Sequence, residues 1–160
     1  MKLTDRQEGW LITLESGNYH QVDGFLKGFT EDGELGYCCL GVYCDIDEDT
    51  KWTISVVRGG RRRYEMQDEL GYSSDTELTG RVVARLGLRS CQGDLKAPVS
   101  RINGKWYAAT DDDIPDHGEA RTHHWSTSLA SMNDSGLFSF DDIAEFIRAR
   151  PELVFEKGAE

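Results

Sequence analysis

Apolar positions recur at helical spacing at both ends of the chain. Near the N-terminus, Trp10, Leu11 and Leu14 share a face, and Thr4 with Gln7 has the form of a capping box ahead of them. Ser16-Gly17-Asn18 predicts the stop of that helix. Near the C-terminus, Phe140, Ile143, Ala144 and Ile147 fall on one face behind Ser139 as cap. Arg148 and Arg150 suit the negative end of that helix dipole, and Pro151 ends the helix. A further amphipathic helix is predicted from Asp75 or Thr76 to about Leu86, with Leu78, Val82, Val83 and Leu86 inward and Gly87 as its terminator. A shorter one is predicted from Trp125 to Met132, closed by Asn133-Asp134-Ser135-Gly136.

Strand patterns lie between these helices. Val99–Ile102 and Lys105–Ala108 flank Asn103-Gly104, the favoured two-residue hairpin turn, because both central positions need positive φ. Trp52-Thr53-Ile54-Ser55-Val56-Val57 has strand composition, Arg58 to Arg63 reads as a turn, and Tyr64-Glu65-Met66 as the returning strand. Phe25, Leu26 and Phe29 read as core anchors before a turn at Thr30-Glu31-Asp32-Gly33. Gly36 to Ile46 is apolar almost throughout, where periodicity does not separate a buried helix from a buried strand. We take it as a short buried helix with a charged end at Asp45, Asp47, Glu48 and Asp49; its Tyr, Val and Cys content suits a strand equally. Helices flanking two hairpins, without repeats or a long linker, predict one compact α+β domain over residues 1–160.

Composition narrows the function classes. With 38% hydrophobic residues and 3 prolines in 160 residues, the chain is expected to fold rather than stay disordered. Its 29 acidic against 18 basic residues leave a formal charge of −11. That excludes a general nucleic-acid backbone binder, and it argues against docking on anionic lipid. No stretch approaches the roughly 18 apolar residues of a membrane span. The opening MKLTDRQEGW lacks the apolar core of a signal peptide, so a cytoplasmic protein with reduced thiols is expected.

Candidate chemistry is sparse. Cys38, Cys39 and Cys44 are spaced C-C-x4-C, unlike paired zinc knuckles, and with Cys91 they are expected to be buried thiols. Cys38, Cys39 and Cys44 with His123 and His124 are the candidate metal ligands, and neither a metal nor another cofactor is expected. The acidic loop containing Asp111, Asp112, Asp113 and Asp116 does not follow calcium-loop spacing. The basic cluster Arg58, Arg61, Arg62 and Arg63 is the one place where guanidinium forks could hold a phosphate, with Tyr64 or Trp52 stacking on a base. The plainer alternative is a solvated hairpin tip that balances the acidic run at Asp45 to Asp49. No P-loop, dinucleotide fingerprint or nucleophile elbow is present.

Three segments occur together in a familiar order: W-L-x2-L-x-S-G-x-Y-x-Q-x2-G-x-L over Trp10 to Leu26, Y-C-C-L-G-V-Y-C-D over Tyr37 to Asp45, and L-A-S-M-N-D-S-G-x3-F-x2-I-A-x-F-I over Leu129 to Ile147. Leu78 to Leu88, ending in Leu-Gly-Leu, lies between the last two. The chain thereby resembles a family of small tailed-bacteriophage proteins, also carried by prophages, that has no assigned activity. Cys91 to His124 falls outside the pattern and reads as a lineage-specific insertion carrying the Asn-Gly hairpin. The resemblance implies a phage protein in the cytoplasm of the infected host, and it brings no catalytic residues. We therefore expect a non-catalytic accessory protein that inhibits or sequesters a host component, for example one of host defence. Two partner classes fit, a protein with a basic site or a nucleotide signal, and self-association stays open. The alternative is a small hydrolase or nucleotide-modifying enzyme that uses His123 or His124.

Overall fold

In the computed structural model, which describes residues 1–53, 56–115 and 123–156, the N-terminal pattern forms helix α1 (Asp5–Glu15). Thr4 Oγ1 accepts from the Gln7 N–H at 3.2 Å while Gln7 Oε1 accepts from the Thr4 N–H at 2.9 Å, so the expected capping box is present. Gln7 is itself buried, and its Nε2 donates to the Leu86 carbonyl at 2.9 Å, which ties the cap to the core. Trp10, Leu11 and Leu14 are buried, and Trp10 Nε1 donates to the Cys39 carbonyl.

Strands β1 (Lys27–Phe29) and β2 (Leu35–Tyr37) form a hairpin across the expected turn. With β4 (Val56–Arg58) and β5 (Arg61–Arg63) they make an antiparallel sheet ordered β2-β1-β5-β4. The predicted turn over Arg58 to Arg63 is corrected here. Only Gly59 and Gly60, at φ 57° and 76°, form it, because the arginines would be strained in that left-handed region; the arginines sit on the flanking strands. A second sheet, β3-β6-β7, joins β3 (Lys51–Trp52), β6 (Met66–Gln67) and β7 (Ser73–Ser74). The predicted Trp52–Val57 strand is thus divided between two sheets, and Ile54 and Ser55 lie outside the described residues.

Helix α2 (Cys39–Ile46) follows β2, so the apolar run holds both a strand end and a helix. Gly41 lets that helix lie against the backbone of Leu26, where any Cβ would overlap the Leu26 carbonyl oxygen. Helix α3 (Gly80–Leu86) starts later than predicted, behind Thr79; Leu78 still reaches the core from the extended segment before it.

The Asn-Gly hairpin forms as expected. β8 (Asp94–Ile102) and β9 (Lys105–Ala108) meet at Asn103 and Gly104, at φ 51° and 78°. β10 (Ser126–Ser128) pairs with the other edge of β8, giving the order β10-β8-β9. The helix predicted from Trp125 therefore begins only at Leu129, as α4 (Leu129–Asp134), because the open edge of β8 takes Ser126 to Ser128 first. Ser139 and Asp142 form the capping box of α5 (Phe140–Ala149). Pro151 ends α5 and opens the short α6 (Pro151–Val154), where its missing N–H costs nothing.

Helix α1 packs on α2 and α5, α2 on α4, and α6 on β8. Ala97, Val99, Trp106 and Ala108 of the third sheet join Trp10, Val42, Val82 and Phe146 in one core. The fold is α+β.

Candidate functional site

Helix α2 is buried from Cys39 to Cys44 and emerges only at its C-terminal end. Its last turn and the residues beyond carry Asp45, Asp47, Glu48 and Asp49, and no basic residue. The negative pole of the helix dipole points at the same place, where an unpaired carboxylate in the last turn costs the helix about 0.3–1 kcal/mol; Asp47, at the cap, is paired with Arg85. Two clefts of about 270 and 400 Å³ meet there and share Glu48 and Asp49. Asp5 and Asp47 line the first, Asp68 and Glu69 the second, against Arg6 and Lys51. Arg85 of α3 stands between them, its Nη2 2.7 Å from Asp47 and its Nη1 2.7 Å from Glu69. The backbone N–H of Glu69, and then Arg85, hold the Glu69 carboxyl down at about 2, so Glu69 stays ionised over the physiological range. Ile46, Leu70 and Tyr72 are exposed in or beside these segments.

Asp45 also anchors a second feature. Its carboxylate accepts from Tyr19 Oη at 2.6 Å and from Trp52 Nε1 at 2.9 Å, with Tyr37 Oη at 3.5 Å. The Lys27 ammonium lies 4.8 Å from the ring centre of Tyr64, 5.0 Å from that of Trp52 and 5.3 Å from that of Tyr37. Burial pushes the Lys27 pKa down, opposed by Asp45. Tyr37 is pushed up to about 12 by burial and then by the Asp45 charge, and Tyr19 is raised for the same reasons together with its hydrogen bond to Asp45. Sequence reading singled out Trp52 and Tyr64 as stacking residues but missed Lys27 and Tyr37. Single residues on three strands, helix α2 and two connecting segments leave no spacing signature.

The arginine cluster is split by strand pleating. Arg61 and Arg63 point to one side of β5 and Arg62, which is exposed, to the other. Arg58 and Arg63 face the buried Asp75 at 3.5 and 3.9 Å, and Arg63 covers the Phe25 ring. Arg61 lies 3.7 Å from both Asp23 and Glu31. Three of the four guanidiniums are thus already opposed by carboxylates. Arg61 also borders a cleft of about 560 Å³ with Gln21, Asn133 and Asp134.

Cys38 is the N-cap of α2, its Sγ accepting from the Gly41 N–H at 3.3 Å. It shares a cleft of about 530 Å³ with His124 and Asp134. Burial pushes the Cys38 thiol up to about 12 despite that hydrogen bond, and raises Cys39 and Cys44 well above their ordinary value. The cleft therefore gathers a thiol, an imidazole and a carboxylate without an activated thiolate. Among the described residues, no three His, Cys, Asp or Glu side chains are grouped to hold a metal ion, Cys38, Cys39, Cys44, His123 and His124 included. His117 and Asp116 lie outside the described residues. Asp111 is turned inward, paired with Arg150 at 2.8 Å, while Asp113 pairs with Lys105. Among the described residues, no helix is long and apolar enough to cross a membrane.

No curated protein and no solved structure matches this chain. Residues 2–151 match a family described as a domain of unknown function (DUF8296), and that span runs continuously through all three sheets and the acidic end of α2. The chain belongs to the DUF8296 family.

Proposed function

We propose that this protein is a phage-encoded accessory protein that acts, without catalysis, in the cytoplasm of the infected cell by occupying the basic site of a host protein. The observation that carries this reading is the acidic face at the end of α2. Six carboxylates line two joined clefts that hold Arg6 and Lys51; Asp47 and Glu69 are paired with Arg85 and Asp68 is buried, so the exposed Asp5, Glu48 and Asp49 are the ones open to a partner. Exposed Ile46, Leu70 and Tyr72 supply apolar contact area beside it. A protein partner is favoured over a nucleotide because Arg58, Arg61 and Arg63 already face Asp75, Asp23 and Glu31, which leaves little positive potential for a phosphate.

Charge complementarity of this kind speeds encounter and weakens with salt. The test is capture of basic proteins from a nuclease-treated host lysate on the immobilised chain. A partner retained at low salt should be released as the Debye length falls below about 10 Å. Glu48→Lys with Asp49→Lys should abolish capture, while Asp141→Lys, on the exposed first turn of α5, should not. Capture indifferent both to salt and to reversal at Glu48 and Asp49 would overturn the reading.

A further inference from the structure

We infer that Tyr37, Trp52, Tyr64 and Asp45 form a binding site for an alkylated ammonium group, which the chain's own Lys27 occupies in the absence of ligand. Three aromatic faces surround the Lys27 ammonium at 4.8 to 5.3 Å, within the range of attraction by ring quadrupoles. A primary ammonium has three N–H donors to satisfy. Among the described residues, no protein group accepts from this one, which leaves its donors to water at the 14% of the side chain that is exposed, and its nearest carboxylate oxygen, on Asp45, is 4.0 Å away. That environment suits a cation without N–H groups better than it suits a lysine. Burial penalises the charged lysine in the same place.

The walls have contacts besides those to Lys27. Asp45 accepts from the neutral donors of Tyr19, Tyr37 and Trp52. The Tyr19 and Tyr37 rings pack edge to face at 4.9 Å, and Tyr37 meets Trp52 at 6.3 Å. The Lys27 carbonyl accepts from the Tyr64 N–H at 2.9 Å, so the backbone stays fixed when the side chain rotates away. The lysine side chain is 14% exposed and its path to water is short. The acidic run that begins at Asp45 and the charge of −11 both favour arrival of a cation. Because Lys27 competes for the site, apparent affinity falls by the fraction of time the cage is open.

The test uses the full chain and tetramethylammonium, followed through the Lys27 ε-methylene resonances. In the free protein these should be shifted upfield by the rings, and tetramethylammonium should return them toward the position of a solvated lysine. Lys27→Met, which keeps the apolar stem, should bind the probe at least about tenfold tighter, and Trp52→Ala should remove binding. Choline and a neutral peptide bearing one trimethyllysine then separate a free ligand from a modified protein; a response to either supports the site. Should Lys27 stay caged at saturating probe while Lys27→Met binds it, the lysine is a permanent strut and the inference fails. It fails equally if neither chain responds. If Lys27→Met does not fold, the wild-type resonances decide alone.

Discussion

Asn133 shows how one side chain can organise three segments. It is buried; its Nδ2 donates to the Val22 carbonyl at 2.7 Å, while its Oδ1 accepts from the Cys39 N–H and from Gln21 Nε2, both at 3.1 Å. It therefore satisfies a backbone acceptor of the segment before β1 and a backbone donor at the start of α2. Asn133→Ala leaves both unpaired in the interior, and the expected cost is about 3 kcal/mol, read as a lower urea midpoint with an unchanged slope. Asn133→Asp, of the same shape, sets an acceptor against the Val22 carbonyl and should cost as much. Equal stability of the aspartate variant would show that the amide donor is not what matters. In the sequence, Asn133 is legible only as part of a helix-closing Asn-Asp-Ser-Gly. Its partners lie more than 90 positions away, at Val22 and Cys39, where no local rule reaches.

At the scale of elements, what was readable is what short-range chemistry controls. The cap boxes at Thr4 and Ser139, the faces of α1 and α5, and the Asn103-Gly104 turn rest on contacts within a few residues. Helix α2 was only half readable, because an all-apolar run has no periodicity; its close approach to Leu26 at Gly41 and its Cys38 cap decide the outcome. Its thiols give a test. Cys38, Cys39 and Cys44 are buried with raised pKa values, while Cys91 is partly exposed. With a thiol-reactive disulfide reagent the native chain should yield one thiol, and the other three only on unfolding. Rapid release of two or more from the native protein would mean that α2 opens locally, and the buried-helix description would fail.

The whole molecule couples its tyrosines to alkaline stability. Tyr37 and Tyr43 are pushed up to about 12 from an ordinary 10.0, chiefly by burial, and Tyr19 is raised as well. For the tyrosines, a raised folded pKa means stability present in full below pH 10 and lost as pH climbs from there toward 12, because the unfolded chain releases those protons first; the buried Cys38, Cys39 and Cys44 thiols, raised from an ordinary 9.0, add a loss that begins about one pH unit lower. Lys27, lowered by burial, opposes part of that loss. The urea midpoint should therefore fall between these limits, with tyrosinate absorbance rising together with loss of tertiary structure. A midpoint flat over that range would show that these phenols ionise freely in the folded chain. At the same scale, eight arginines among the described residues are drawn into pairs with carboxylates (Arg58, Arg61, Arg63, Arg81, Arg85, Arg101, Arg148 and Arg150), which leaves an acidic excess.

By itself the sequence determined the α+β class, the helix caps at Thr4 and Ser139, the apolar faces of the helices they open, the Asn-Gly hairpin and the sign of the net charge. Each follows from residue type, spacing or a sum of charges, all of which are local or additive. Tertiary structure alone decided that Ser126 to Ser128 extend a sheet, that the arginines divide between two sides of a strand, and that Lys27 meets Tyr37, Trp52, Tyr64 and Asp45. Those outcomes depend on which sheet edges are open and which distant rings share a volume. Such pairings are set by packing over the whole chain, because no residue carries in its own neighbourhood the identity of a partner tens of positions away.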